Sequence, residues 1–178
     1  MDVDGERHYP PILLVALALA LLLAVPTSRA AAQPGSADKM IVVHDIVRGS
    51  NNVSKDQAPV RVCVLNSRFL HNEEVVWRIK VVDPRTGDFL DGKALSKVEV
   101  KLASGEIFTA KYGTHPRQNP TDYFWTTAWT IAEGYPTGAV PYTITAAHAD
   151  GRTGMSVTFN VNLSQLTILA GAVPAIPK

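Results

Sequence analysis

Residues 123–161 read YFWTTAWTIAEGYPTGAVPYTITAAHADGRTGMSVTFNV, and their side chains alternate in character. Trp125, Thr127, Trp129 and Ile131 fall on one face of an extended chain. Val140, Tyr142, Ile144, Ala146 and His148 repeat the pattern, and Met155, Val157, Phe159 and Val161 repeat it again. A period of two marks a strand with one buried face, because successive Cβ atoms point to opposite sides. Gly134-Tyr135-Pro136-Thr137-Gly138 turns a corner after the first strand. Asp150-Gly151 predicts a two-residue type I′ hairpin between the last two, and so places Met155, Val157, Phe159 and Val161 inward.

The same period extends upstream. Lys97–Leu102 (KVEVKL) sets Val98, Val100 and Leu102 against Lys97, Glu99 and Lys101, and Ser104-Gly105 turns it into a strand over Glu106–Tyr112. Glu74–Asp83 places Val75, Trp77, Ile79 and Val81 together with Arg78 and Lys80 opposite, and Asp83–Gly87 (DPRTG) is a turn. Val60–Asn66 (VRVCVLN) alternates on Val60, Val62 and Val64, and the sandwich proper is placed from Val60 to Asn162. Before it, residues 33–59 hold a β-branched strand, Met40–Val47, and a polar linker, Gly49–Pro59. Residues 163–178 read as an edge strand or a proline-containing tail that docks on a partner. No apolar 3.6 periodicity follows Val25, so the expectation is an all-β sandwich of about seven to eight antiparallel strands.

Composition narrows the setting. Ile12–Val25 (ILLVALALALLLAV) is uncharged and shorter than the roughly 20 residues of a bilayer span. Pro26 ends it, and Ala30-Ala31-Ala32 follows as a small-residue cleavage gate. Residues 1–32 therefore read as a signal peptide, with an uncleaved anchor as the alternative; its acidic flank (Asp2, Asp4, Glu6) is atypical. After cleavage no membrane span remains. The chain of 178 residues carries 17 Lys+Arg against 16 Asp+Glu with no basic run, which leaves nucleic-acid binding without its electrostatic footprint. Cys63 is the single cysteine, so no intrachain disulfide can form. An exported protein without disulfides fits a bacterial periplasm or secretion into the medium.

Three local features resemble immunoglobulin-like domains. Tyr142 sits as the tyrosine corner does, where a phenol hydroxyl bonds upstream backbone. Trp77 follows Cys63 as a core tryptophan does, and Ile144 stands where antibody domains carry the second cysteine. Phe69–Arg78 (FLHNEEVVWR) resembles the aromatic-x-x-Gly-Glu-x-Val start of macroglobulin-type and fibronectin III-like exported bacterial domains, with Asn72 in place of glycine. The resemblance implies an immunoglobulin-like sandwich that binds, spaces or scaffolds, and it implies no catalytic residues.

Chemistry in the sequence is sparse. His44, His71, His115 and His148 are scattered without ligand spacing, and Cys63 with His71 across the strand bend is the core from which a copper or zinc site would be built. No G-x-S-x-G elbow is present, and Cys63 lies in a strand-like run rather than at a helix N-terminus. The residues that fit a ligand or partner are His115, Arg117 and Asn119 in the loop 113–121, with Tyr123, Phe124 and Trp125 beside them. Together these features point to an exported, non-enzymatic binding module without a cofactor, engaging a protein partner of the cell envelope through end loops or an edge strand. The alternatives are a periplasmic copper- or zinc-binding protein, and a carbohydrate-binding module using the Tyr123–Trp129 aromatic cluster.

Overall fold

The structure, a computed structural model, describes residues 39–53, 62–115, 119–158, 161 and 165–174. The expected signal peptide, Val60, Arg61, Arg117 and Phe159 lie outside these. Among the described residues the chain is all-β, and no helix is long and apolar enough to cross a membrane. A first sheet joins β1 (Ile41–Arg48), β3 (Glu74–Val82), β7 (Asp122–Thr130) and β6 (Lys111–His115), in that order. A second joins β10 (Thr153–Val157), β9 (Tyr142–His148), β4 (Leu95–Leu102) and β5 (Ile107–Thr109). All pairings within these two sheets are antiparallel. The third is smaller: β11 (Thr167–Ala172) runs parallel to β2 (Arg68–His71) and antiparallel to β8 (Gly138–Ala139).

Alternation becomes burial where it is cleanest. Val75, Trp77, Ile79 and Val81 of β3 are fully enclosed, as are Val98 and Val100 of β4 and Ile144 of β9. Trp77, from the first sheet, stacks on Phe108 of the second at 6.0 Å and meets the Tyr142 ring edge-on at 5.6 Å. Trp129 stacks on Trp77 at 6.5 Å and lies 6.1 Å from Phe108. The inner faces of the two four-stranded sheets thus share one core. Burying one such aromatic removes enough area to contribute on the order of 4–6 kcal/mol before entropy is counted.

Several sequence expectations change here. Residues 62–66 do not form the expected strand: 62–63 turn, Cys63 takes φ 60, and the segment meets the outer edge of β1 through a single bridge, Leu65 to Val47, and a few backbone hydrogen bonds to Ile46 and Arg48. A left-handed residue cannot continue a ladder, and Val64 and Leu65 are exposed rather than core. The first sheet begins instead with β1, upstream of Val60. Glu106–Tyr112 is two strands. β5 pairs with β4, Ala110 is buried at the crossing, and β6 pairs with β7, so the chain switches sheets where the smallest side chain lets it pass.

The final hairpin slips by one residue. Only Gly151 has positive φ (93°), Gly151 N–H bonds the His148 carbonyl, and His148 N–H bonds the Arg152 carbonyl. This is a three-residue loop with a glycine bulge, not a type I′ turn. Register shifts so that Gly154 faces Ala146 and Ser156 faces Ile144. A one-residue slip exchanges the faces of a strand, so Met155, Val157 and Val161 are exposed, not inward. Gly154 also fits for a steric reason: a Cβ there would come within 2.8 Å of the Met40 carbonyl.

Polar contacts tie the layers. The Tyr142 hydroxyl bonds His44 Nε2 on β1 at 2.8 Å, rather than the upstream backbone expected of a tyrosine corner, and Ser156 Oγ lies 3.3 Å from His44 Nδ1. Burial holds the His44 imidazole below its ordinary value, against the pull of Asp45, and pushes the Tyr142 phenol well above its own. The segment after residue 163 supplies the middle strand of the third sheet, with Leu166 and Ile168 buried. His71 clamps it: Nδ1 meets the Gly171 carbonyl and Nε2 the Tyr135 carbonyl, each at 2.8 Å. Asn72 takes the left-handed position that its place in the turn requires (φ 68).

Arg152 joins the ends of two strand connections, donating to Asp83 and to Asp150 at 2.7 Å each. The Arg152 backbone N–H, followed by its guanidinium, holds Asp150 down to about 2, and the Arg85 N–H with Arg152 lowers Asp83. Carboxylates lowered on folding stabilise fully above their unfolded value near about 4, and that stabilisation is lost as pH falls toward the folded value. Thermal melts of the wild type and Arg152→Gln from about pH 7 to about pH 2.5 are expected to show a gap in Tm that holds at neutral pH and narrows as pH falls below about 4. A gap independent of pH contradicts the assignment.

Candidate functional site

On the outer face of the first sheet, period-two geometry gathers chemistry from four places. Arg78 of β3 and Lys111 of β6 both lie opposite Thr126 of β7, and His115 of β6 lies opposite Asp122. Phe124 stands among them, with the Arg78 guanidinium 5.5 Å and the Lys80 ammonium 4.8 Å from its ring centroid, and the His115 ring edge-on at 5.7 Å. Such cation–aromatic contacts are worth roughly 0.5–1 kcal/mol each at an exposed site. Two carboxylates set the positions of the cations. Asp45 accepts from Arg78 Nε at 2.7 Å, and Asp122 accepts from Lys80 at 2.6 Å.

Cys63 closes one side of this face. Its left-handed turn is held by Cys63 N–H bonding the Arg48 carbonyl at 2.8 Å, and the exposed Sγ lies 3.8 Å from His115 Nε2. Between them runs an open groove of about 810 Å³, lined by Cys63, Arg78, Lys111, His115, Glu74 and Thr126 among others. The Asp45 hydrogen bond pushes Arg78 further above its ordinary value, with a smaller contribution from Cys63. Lys80 pulls Asp122 below its own. The groove therefore presents charges of both signs, Glu74 against Arg78 and Lys111, and Phe124 borders it through Arg78 and His115. Among the described residues no three His, Cys, Asp or Glu side chains converge as a metal cage would require.

The candidates read from the sequence part company here. Cys63, His115 and Phe124 come together. Cys63 faces His115 and not His71, whose ring nitrogens are both taken by carbonyl oxygens in the third sheet. Trp125 belongs to the core, its indole N–H donating to the Leu90 carbonyl at 3.0 Å. Trp129 is also buried, against Tyr135. Asn119 is exposed in the β6–β7 loop with φ 51, and Arg117 lies outside the described residues. Tyr123 is exposed on the opposite face from Phe124, stacked on Tyr112. Lys111 and Arg78 are the additions. Alternation along Lys111–His115 places Lys111 and His115 on one side, a signal available in the sequence once that segment is read as its own strand.

No protein family matches the chain, and neither the curated proteins nor the solved structures contain a match to it. The accessibility of Cys63 is directly testable. In the native protein a maleimide is expected to modify Cys63 to completion, whereas a cysteine at buried Val98 in a Cys63→Ser background reacts only after denaturation. Protection of native Cys63, followed by mass spectrometry, contradicts the placement.

Proposed function

We propose that the chain is an exported immunoglobulin-like module, of the macroglobulin or fibronectin III type, that binds a protein partner in the bacterial cell envelope through the groove over its first sheet. The observation that carries this reading is the convergence of Cys63, His115, Lys111 and Phe124 on one open surface. Two antiparallel four-stranded sheets around a core tryptophan support the immunoglobulin-like type. The leader-like residues 1–32 support export. A groove with Lys111 and Arg78 in its lining and Phe124 at its border suits a partner segment that sets an apolar side chain against Phe124 and an acidic one beside Lys111. His115, the last residue of β6, adds its ring to the groove's lining.

The single cysteine makes the test simple. A benzophenone maleimide attached to Cys63 is expected to capture one discrete envelope protein in cells, with capture reduced about tenfold or more by Lys111→Glu. Equal capture from a label moved to Met155, on the opposite sheet, overturns the proposal.

The 3.8 Å approach of Cys63 Sγ to His115 Nε2 favours a second reading, a copper(I) site on these two residues in place of the Cys63–His71 pair. Thiolate and imidazole are ligands that copper(I) accepts in small number, and sulfur and nitrogen bonded to one metal at about 2.3 and about 2.0 Å stand about this far apart. Dialysis against a copper(I) chelate buffer is expected to leave one copper per chain, lost in Cys63→Ser and in His115→Ala. Uptake well below one per chain removes this reading.

A further inference from the structure

Tyr112 and Tyr123 form a second surface, on the other side of the first sheet from the groove. Register places Tyr112 opposite Trp125, and Tyr123 two residues along the same strand, so all three side chains share the inner face. Trp125 is buried at 6% exposure, while Tyr112 and Tyr123 are 37% and 50% exposed. The inner face thus continues past the core and emerges into solvent as two rings. They lie nearly parallel, 5.9 Å apart with 19° between planes. Trp125 braces the step from beneath, 5.4 Å from the Tyr112 ring and tethered to the Leu90 carbonyl. Gly92 lies against the Tyr112 stem, where a Cβ would stand in ordinary contact at 3.5 Å from the Tyr112 Cβ.

One carboxylate stands beside the rings. Asp91 precedes Gly92, which lies against the Tyr112 stem, and it accepts the N–H groups of Lys93 and Ala94 through Oδ1. Those N–H groups, Lys93 first, hold it below its ordinary value, so it is a fixed, ionised acceptor at neutral pH. Asp122 precedes Tyr123 but turns to the outer face, where it binds Lys80. An aromatic step with a fixed acceptor is complementary to a molecule with an apolar C–H face and hydroxyl donors at its rim.

We propose that Tyr112 and Tyr123, with Asp91, form a binding platform for neutral polysaccharide. Sugar rings stack on the two tyrosines and their hydroxyls donate to the carboxylate. Because this face is opposite the Cys63 groove, the platform stands independently of the function proposed for that groove. It also relocates the aromatic contact from Trp125 and Trp129, which are enclosed, to the tyrosine that the β6–β7 hairpin brings alongside.

Affinity electrophoresis of the full chain tests the platform, in gels containing hydroxyethylcellulose, glucomannan, laminarin or pullulan. Retardation by at least one polymer is expected, weakened about tenfold or more by Tyr123→Ala and by Tyr112→Ala, and reduced by Asp91→Asn. Phe124→Ala, on the groove side, is expected to leave it unchanged. Tyr123 is half-exposed, so its variant keeps the fold, and an unchanged thermal melt confirms that readout. The proposal is overturned by free migration in all four gels, or by retardation that survives Tyr123→Ala. Tryptophan emission that responds to choline chloride and to none of the polymers assigns the rings to a cation instead, and overturns it equally.

Discussion

The position of Trp77 governs the architecture. Its indole is fully enclosed, and it is the residue of the first sheet that touches both an aromatic ring of β5 and the phenol of β9 in the second. Two sheets that must both wrap one flat side chain cannot slide independently, because protein cores lose contact energy over gaps of a fraction of an ångström. β3 is therefore pinned, and everything paired to it inherits its register: β1 on one side, β7 and then β6 on the other. The outer face follows by alternation. Arg78 and Lys80 point outward because Trp77, Ile79 and Val81 point in.

The strands that carry this constraint are the ones legible in the chain. β3 alternates strictly, and the residues buried in β7 and β9, with Val98, Val100 and Leu102 of β4, all fall in the set that the period of two selects, while Thr127 and His148 of that set are only half-buried. What failed to show was governed by single backbone positions. The hairpin after His148 takes one more residue than Asp-Gly alone implies, and that one residue turned Met155 and Val157 outward. Cys63 adopts a left-handed conformation in a run of valines that otherwise resembles a strand. The β5–β6 crossing at Ala110 hides within an uninterrupted apolar alternation, since leaving one sheet for another does not change the pattern of faces.

The candidate site was legible in parts but not as an assembly. His115 and Phe124 are neighbours along one hairpin and can be paired from the sequence. Cys63 joins them only through the edge of β1, a relation that no local spacing encodes. Arg78 reads in the sequence as a charge facing water, and Lys111 carries no signal there; they become part of a site because cross-strand register sets both opposite Thr126. The tyrosine platform has the same origin. Tyr123 stands out in the aromatic run, but Tyr112 matters only once β6 is folded against β7. Trp125 and Trp129, the more conspicuous residues, are drawn inward by the demand for large apolar side chains at the core.

The third sheet imposes an order on assembly. β2 and β8 have no pairing with each other, and the strand that joins them is β11, whose contacts with β2 close loops of about a hundred residues. Closing so long a loop costs entropy before any hydrogen bond repays it, and topologies rich in such contacts fold slowly. Phe69, Leu166 and Ile168 have no finished shelter until then. A polypeptide emerging in sequence from its N-terminus thus stays open along this flank until residue 172 arrives, and a copy shortened before Thr167 keeps both orphan strands unpaired.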